Sequence, residues 1–476
     1  MSDPSPSPVV PTAPPAPGFW AAVRQALRGE QHDYTALGLN RAVLLLAVPM
    51  VVEMLMESLF TIVDVFWVAR LGKEAVAVVG LTESVMSLIY AVAIGTSFAA
   101  TAIVSRRIGE NNPALAAQAA GQILLLGASV SAALGVLLGC FAGDILRWMG
   151  AEPAVVEQGT GFARIMFGGN ATVFLIFLIN AIFRGAGDAT LAMRTLILAN
   201  GLNLILDPCF IFGWGPFPEL GVAGAAVATN VGRGIGVCYQ IWHLTARAGR
   251  VRVGWADLRP RADGLVTILR TSANGIGQLL ISTTSWVGLF KILALFGSPV
   301  VAGYTIAIRV VIFALMPAWG LANAGATLVG QNLGAQKPER ATQAVRIAVR
   351  YNVLFLGAVG LLFVVFARPL VGVFTSDPEV FAHAVRALWI VSLAFPLYAA
   401  GMCFEGAFNG AGDTGTPTRL NFFCFWLGQI PLAWLLARPL GLGPTGVFIA
   451  VPLSFTVLAL WGSVLFRRGR WREKRV

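Results

Sequence analysis

Long apolar stretches separated by short charged or glycine- and proline-rich punctuation run along nearly the whole chain; Ile123 to Phe141 and Val353 to Phe366 are two of them. Each is near the roughly 20 residues that cross a bilayer as a helix. The pattern predicts an all-α polytopic membrane protein with twelve helices, at about 39–65, 74–104, 117–142, 158–183, 190–214, 220–246, 263–293, 299–330, 341–367, 381–407, 416–438 and 443–466. A transmembrane β-barrel would instead alternate apolar and polar residues in segments of about 10 residues.

The pattern also repeats. At an offset of 225 residues, Phe183-Arg184-Gly185-Ala186-Gly187-Asp188 returns as Phe408-Asn409-Gly410-Ala411-Gly412-Asp413. The same shift carries Gly72 to Gly297, Gly109 to Gly334, Pro113 to Pro338 and Gly221 to Gly446. Six helices per copy is an even number, so both copies enter the membrane from one side as a parallel repeat, an arrangement found in secondary transporters. The expected organisation is a disordered Pro-rich tail over 1–35, one six-helix lobe over 36–246, a linker over 247–262, a second lobe over 263–466 and a basic tail over 467–476. The first 18 residues hold seven prolines and no apolar run, which excludes a signal peptide. The linker reads either as a surface-lying segment, with Val251, Val253, Trp255 and Leu258 among arginines, or as a plain solvated connection.

Composition agrees. Charged residues are 12% and hydrophobic residues 57% of the chain, against about 25% charged in soluble domains. The net charge of +11 is a statement about topology rather than nucleic acid. The termini and even-numbered loops hold most of the Lys and Arg, among them Arg106, Arg107, Arg250, Arg252, Arg259, Arg261 and Arg467 to Arg475. The odd-numbered loops hold only Arg70, Lys73, Arg147, Arg368, Arg386 and Arg438. Positive-inside bias then puts both termini in the cytoplasm of a plasma (inner) membrane protein. The five cysteines and three histidines show no metal-type spacing, and no nucleotide motif or nucleophile–base pair stands out. The chain is expected to be no enzyme, to need no cofactor, and to bind no nucleic acid. The RGAGD and NGAGD strings read as tight turns.

Where the two copies differ, chemistry becomes legible. Glu53, Glu57 and Asp64 fall on one narrow stripe of the first helix, Glu57 about 40° and Asp64 about 20° around from Glu53. An acid at the centre of a membrane helix costs roughly 2.5–3.5 kcal/mol on insertion scales, so such groups face protein or water. They serve an ion or proton, or they pair with a buried Arg. The fifth helix adds Asn203 and Asp207, one turn apart and followed by Pro208, and the sixth adds Thr229. Carboxylates in an oxygen-lined cluster suit protons or a hard cation such as Na⁺. The 225-residue shift turns Glu53, Glu57 and Asp64 into Gln278, Ser282 and Leu289, and Asn203, Asp207 and Thr229 into Gly428, Leu432 and Ser454. Ion chemistry therefore belongs to the first copy. The second copy has Lys291, Arg309 and Glu405 instead, read as a compensating charge network ahead of a path for an anionic group.

The strings Phe183 to Asp188, Asn203-Leu-Ile-Leu-Asp207-Pro-Cys-Phe-Ile-Phe212 and Gly221 to Thr229, with Ile62-Val-Asp64 and Ala69-Arg-Leu-Gly72, resemble the multidrug and toxic compound extrusion (MATE) family over about residues 36–466. The resemblance implies a two-lobed antiporter with a central cavity that exports amphipathic, mostly cationic drugs or toxins in exchange for H⁺ or Na⁺. Asp64, Asn203, Asp207 and Thr229 are similar to the polar ion site of the DinF-like branch, and Pro49 to the proline at which its first helix bends. The acids of the NorM-like branch fall near Ser282 and Tyr398, so that site is not expected. Glu53 and Glu57 go beyond the DinF-like pattern and join the coupling-site candidates. Met54, Met86, Trp286, Phe290 and Trp319 are candidates for the cavity wall, and the partners are small amphipathic molecules and lipid, with the protein a monomer. The competing readings are a flippase or exporter of a lipid-linked or anionic metabolite, favoured only by Lys291 and Arg309, and a channel or non-transporting scaffold.

Overall fold

The computed structural model describes residues 19–30, 32–245 and 249–474. In chain order its helices are α1 (Phe19–Arg28), α2 (Leu39–Val68), α3 (Lys73–Gly109), α4 (Pro113–Cys140), α5 (Ala142–Trp148), α6 (Pro153–Gly168), α7 (Asn170–Ala186), α8 (Ala189–Phe212) and α9 (Val222–Thr245). The second half follows as α10 (Ala262–Ala294), α11 (Ser298–Gly334), α12 (Pro338–Gly372), α13 (Pro378–Ser392), α14 (Phe395–Gly410), α15 (Gly415–Asn421), α16 (Ile430–Ala437) and α17 (Pro444–Arg468). Among the described residues, ten helical spans are long and apolar enough to cross a membrane, and α13 with α14, bent by 56°, makes an eleventh. The remaining place is filled by α9, whose apolar character is diluted by Asn230, Arg233, Gln240 and His243.

The repeat is written into the backbone. The turn after α7 has the amide of Gly187 donating to Arg184 O at 3.0 Å and that of Asp188 to Phe183 O at 2.8 Å. After α14, Gly412 donates to Asn409 O at 3.0 Å and Asp413 to Phe408 O at 2.9 Å. Gly187 and Gly412 have φ of 89° and 81°, the left-handed conformation that ends a helix and that side chains resist. The RGAGD and NGAGD strings are thus helix-capping turns. Asn111 and Gln336, also 225 apart, share φ of 56° and 58°. The fourth membrane-spanning segment breaks between α6 and α7, and its counterpart breaks between α13 and α14 at the matching place.

Each copy forms a lobe with its own apolar core. The closest backbone approaches between the lobes fall at glycines. A methyl group built on Gly95 in α3 would lie 2.4 Å from the backbone of Ile276 in α10, and one on Gly320, its counterpart in α11, 2.7 Å from Met50 O in α2. The lobe-joining core is Ala42, Val43, Leu46 and Met50 against Leu321, Ala324, Leu328 and Ala344. All of these lie toward the end of the bundle that carries both termini. The apolar cluster described at the opposite end, around Val68, Val78, Ile211 and Val222, belongs to the first lobe alone. The molecule is therefore closed at the terminus-bearing end and cleft at the other.

The flanking segments differ from their sequence reading. The tail expected over 1–35 holds a helix: α1 buries Ala22 and Ala26, and Thr190 donates to Ala26 O at 2.9 Å. Residues 1–18 lie outside the described residues. The linker lies on the first lobe, with Val251 and Val253 buried and Gln122 donating to Asp257 O and Arg259 O at 2.8 Å each, while Trp255 is exposed. The basic C-terminal segment is anchored by Trp471, which is 1% exposed. Residues 32–37 bridge the lobes. Arg250 donates to His32 O on the first-lobe side; Arg340 donates to Tyr34 O and Leu37 O, and Lys337 to Thr35 O at 3.0 Å, on the second. Those second-lobe bonds must break if the lobes part here. The double change Arg340→Ala with Lys337→Gln is expected to favour the state open at this end. Spin labels at Lys73→Cys and Ser298→Cys, with native cysteines replaced, should then show a larger short-distance population; an unchanged distribution would rule out the bridge as a clasp.

Candidate functional site

The six predicted coupling residues fall into two groups. Asn203 and Asp207 share one face of α8, and the Asn203 amide donates to Asp207 Oδ1 at 2.9 Å and to the Thr229 hydroxyl of α9 at 3.3 Å. Asp207 is 0% exposed, and its Oδ2 and the Asn203 Oδ1 have no hydrogen-bond partner. Asp64, from α2, lies within electrostatic reach of Asp207 and lines the cavity between the lobes together with Thr229. Buried oxygens without donors are costly unless a proton or cation satisfies them. The arrangement is two carboxyl groups in series, one on the cavity wall and one behind it. It can hold and release one small cation.

Glu53 and Glu57 do not join that set. Glu53 is 1% exposed, and its Oε1 accepts from Arg184 at 2.5 Å and from Asn180 at 3.1 Å. Asn180 in turn accepts from Gln240 at 2.6 Å. Glu57 Oε1 accepts from Arg233 at 2.9 Å, and the Arg233 guanidinium stands 4.7 Å from the Phe60 ring centroid and 5.7 Å from that of Tyr90. Both glutamates are committed to guanidinium partners, the alternative their position on the stripe had left open. The stripe splits because α2 packs along α8 on one side while α7 and α9 bring Arg184 and Arg233 to it on another. Pro49 does not interrupt α2 in this state; the helix runs from Leu39 to Val68 through it.

The cavity has a volume of about 430 Å³ and is lined from both lobes. Met54, Met86 and Trp319 line it as expected. Trp286 and Phe290 do not; their rings pack on Tyr304 in the second-lobe core, at centroid separations of 6.5 and 5.3 Å. They sit on the face of α10 turned into its own lobe, a distinction that apolar composition does not carry. The compensating network expected of Lys291, Arg309 and Glu405 does not form. Lys291 and Arg309 are exposed, Arg309 acts on Glu83 of the first lobe, and Glu405 lines the cavity beside the Asn421 amide. Sequence reasoning missed Arg233, Glu83 and Asn180. Arg233 carried a usable signal, a charge in the middle of an apolar helix.

These features together define a two-lobed membrane transporter, with a central cavity and a buried group of two carboxyl side chains in one lobe. The MatE family model matches residues 49–209 and 275–435, one match in each half, and the chain belongs to that family. It is similar to the "Probable multidrug resistance protein NorM" of Thermotoga maritima, 27% identical over 444 residues that span 92% of this chain and 94% of that protein. It is also 25% identical to a "FAD transporter" of Shewanella oneidensis over 90% of this chain and 95% of that one. Among solved structures, an outward-facing multidrug resistance MATE family transporter of the MOP superfamily superposes with a TM-score of 0.86 at 26% identity, covering 93% of this chain and all of that one. The chain is a transporter, not an enzyme.

Proposed function

We propose that this chain is a secondary antiporter that exports amphipathic, mostly cationic compounds in exchange for H⁺ or Na⁺. The observation that carries the reading is the donor-poor Asp207–Asn203–Thr229 group behind Asp64 on the cavity wall. Unlike Glu53 and Glu57, these two acids have no guanidinium partner among the described ion pairs. Loading the group with a cation removes charge repulsion between Asp64 and Asp207 and changes how α2 and α8 pack. Unloading restores it. Antiport requires that ion and cargo favour different states of the lobes. The closed terminus-bearing end and the cleft opposite match an outward-open state if both termini are cytoplasmic, as the basic loops imply.

The orientation has its own test. A reporter fused at the C-terminus should give a cytoplasmic signal, and one inserted in the loop 213–221 an external one. The reverse pattern would invert the direction of transport. Export itself is tested by loss of a fluorescent organic cation from energised vesicles, with H⁺ and Na⁺ gradients imposed separately. Transport of an anionic flavin-type molecule is the second reading, supported by the Shewanella relative and by Arg184 and Arg233 on the cavity wall. It is the weaker one, because both guanidinium groups already hold a carboxylate.

A further inference from the structure

The repeat allows charge to be compared between equivalent positions of the two lobes. In the first lobe, Glu53, Asn180 and Arg184 meet in one hydrogen-bonded group, with one acid, one amide and one base. The 225-residue shift carries them to Gln278, Glu405 and Asn409. There the two amides bond to each other, Asn409 Nδ2 donating to Gln278 Oε1 at 3.3 Å. With Glu405 ionised, the group as a whole is one negative charge out of balance. Glu405 is the surplus. Among the described residues no charged side chain acts on it, Asn421 is its hydrogen-bonding neighbour, and its Oε1 is buried without a hydrogen-bond partner. It opens onto the central cavity, on a wall that also holds Trp319, Tyr398, Met402 and Phe425. Tyr398 is fixed there by stacking on Phe455 at a centroid separation of 3.9 Å.

A carboxylate in a low-dielectric wall calls for a counter-cation. Among the described ion pairs none involves Glu405, so a proton, or in its place a cationic occupant of the cavity, is the source that remains. Aromatic faces and a thioether around a single carboxylate suit a bulky, weakly hydrated organic cation, which gives up little hydration and gains contact with the rings. A hard cation finds a poorer site here than in the first lobe, with one carboxyl group rather than two beside the amide oxygens of Asn409 and Asn421. The paired carboxyl groups are in the other lobe.

We propose that Glu405, with Trp319, Tyr398 and Phe425, is the subsite that receives the positive charge of a lipophilic organic cation. It is separate from the Asp64–Asp207 group that receives the coupling ion. The inference rests on the antiport reading above and adds to it. Cargo and ion occupy different lobes, so they exclude one another through the relative position of the lobes rather than by competing for one carboxylate.

The test is equilibrium binding of tetraphenylphosphonium, and of neutral triphenylphosphine oxide, to purified full-length protein in lipid nanodiscs. Glu405→Gln should weaken tetraphenylphosphonium about tenfold or more and leave triphenylphosphine oxide unchanged. Glu405→Asp should recover part of the loss, and any loss in Asp64→Asn should be smaller than that in Glu405→Gln. Equal weakening of both probes by Glu405→Gln would mean altered cavity shape and would overturn the charge subsite. Unchanged tetraphenylphosphonium binding in Glu405→Gln, with wild-type protein binding it, would also overturn the subsite while leaving antiport standing. Stronger loss in Asp64→Asn than in Glu405→Gln would place the cation in the first lobe. Failure of the wild-type protein to bind or export any organic cation would sink the antiport reading and this subsite together.

Discussion

Asp207→Asn is expected to reduce gradient-driven efflux by about ten- to a hundredfold while leaving the protein folded and inserted. The change keeps the shape of the side chain, and an oxygen remains to accept from Asn203, which now bonds Asp207 Oδ1 at 2.9 Å. What is lost is the charge, and with it the ability to take up and release a cation. Coupling between two ligands in such systems amounts to about 1–3 kcal/mol, or roughly 5- to 150-fold in affinity, and it disappears when one ligand can no longer distinguish the two states. Asp64→Asn should do the same for a related reason. Asp64 is the member of the pair on the cavity wall, so in the proposed scheme the ion meets it before Asp207. Efflux is measured in energised vesicles, with the amount of inserted protein determined for each variant. Cargo binding without a gradient should survive in both. Wild-type rates in either variant would remove that acid from the coupling site, and wild-type rates in both would end the single-lobe coupling scheme.

The sequence showed the architecture because that architecture is repetitive and one-dimensional. A 225-residue offset can be read along a string, and the matching turns at Gly187 and Gly412, or the matching φ values at Asn111 and Gln336, follow once two copies are recognised. The Asn203, Asp207 and Thr229 group was legible for a similar reason. Two of its members are one helical turn apart, and both lose their oxygens in the second copy, while Thr229 keeps only a hydroxyl there as Ser454. Partner choice was not legible. Whether Glu53 faces an ion or Arg184 depends on how α7 lies against α2, and those residues are 131 apart in sequence. Periodicity says that Glu53, Glu57 and Asp64 share a stripe, yet a stripe some tens of degrees wide can face two neighbours at once. Trp286 and Phe290 failed as cavity residues on the same ground. The helix that carries them has one face toward the cleft, with Gln278, Leu279 and Ser282, and another toward Tyr304, and aromatic character alone did not tell them apart.

Arg184→Asn alone is expected to destabilise the first lobe by about 3–5 kcal/mol, because it leaves Glu53 as an uncompensated buried charge. The side chains of the pair are 8% and 1% exposed, so water offers little relief. Glu53→Gln alone should cost a similar amount by stranding the guanidinium, lessened by whatever reach Arg184 has into the cavity that it lines. In the second lobe the ion pair itself is replaced by two amides, Gln278 and Asn409, bonded to each other at the equivalent positions. Combining Glu53→Gln with Arg184→Asn copies that solution into the first lobe. The double variant should recover most of the stability, since a buried ion pair is often no more stabilising than a well-packed neutral replacement. Thermal unfolding in detergent, followed by the fraction that stays monodisperse, measures all three variants. If the double variant is as unstable as the singles, the pair is not what sets the cost. Transport separates structure from coupling: with the ion held by Asp64 and Asp207, the recovered double variant should still export against a gradient. A stable double variant that no longer couples would return Glu53 to the ion path, and the guanidinium contact would then be one step of the transport cycle rather than a fixed brace.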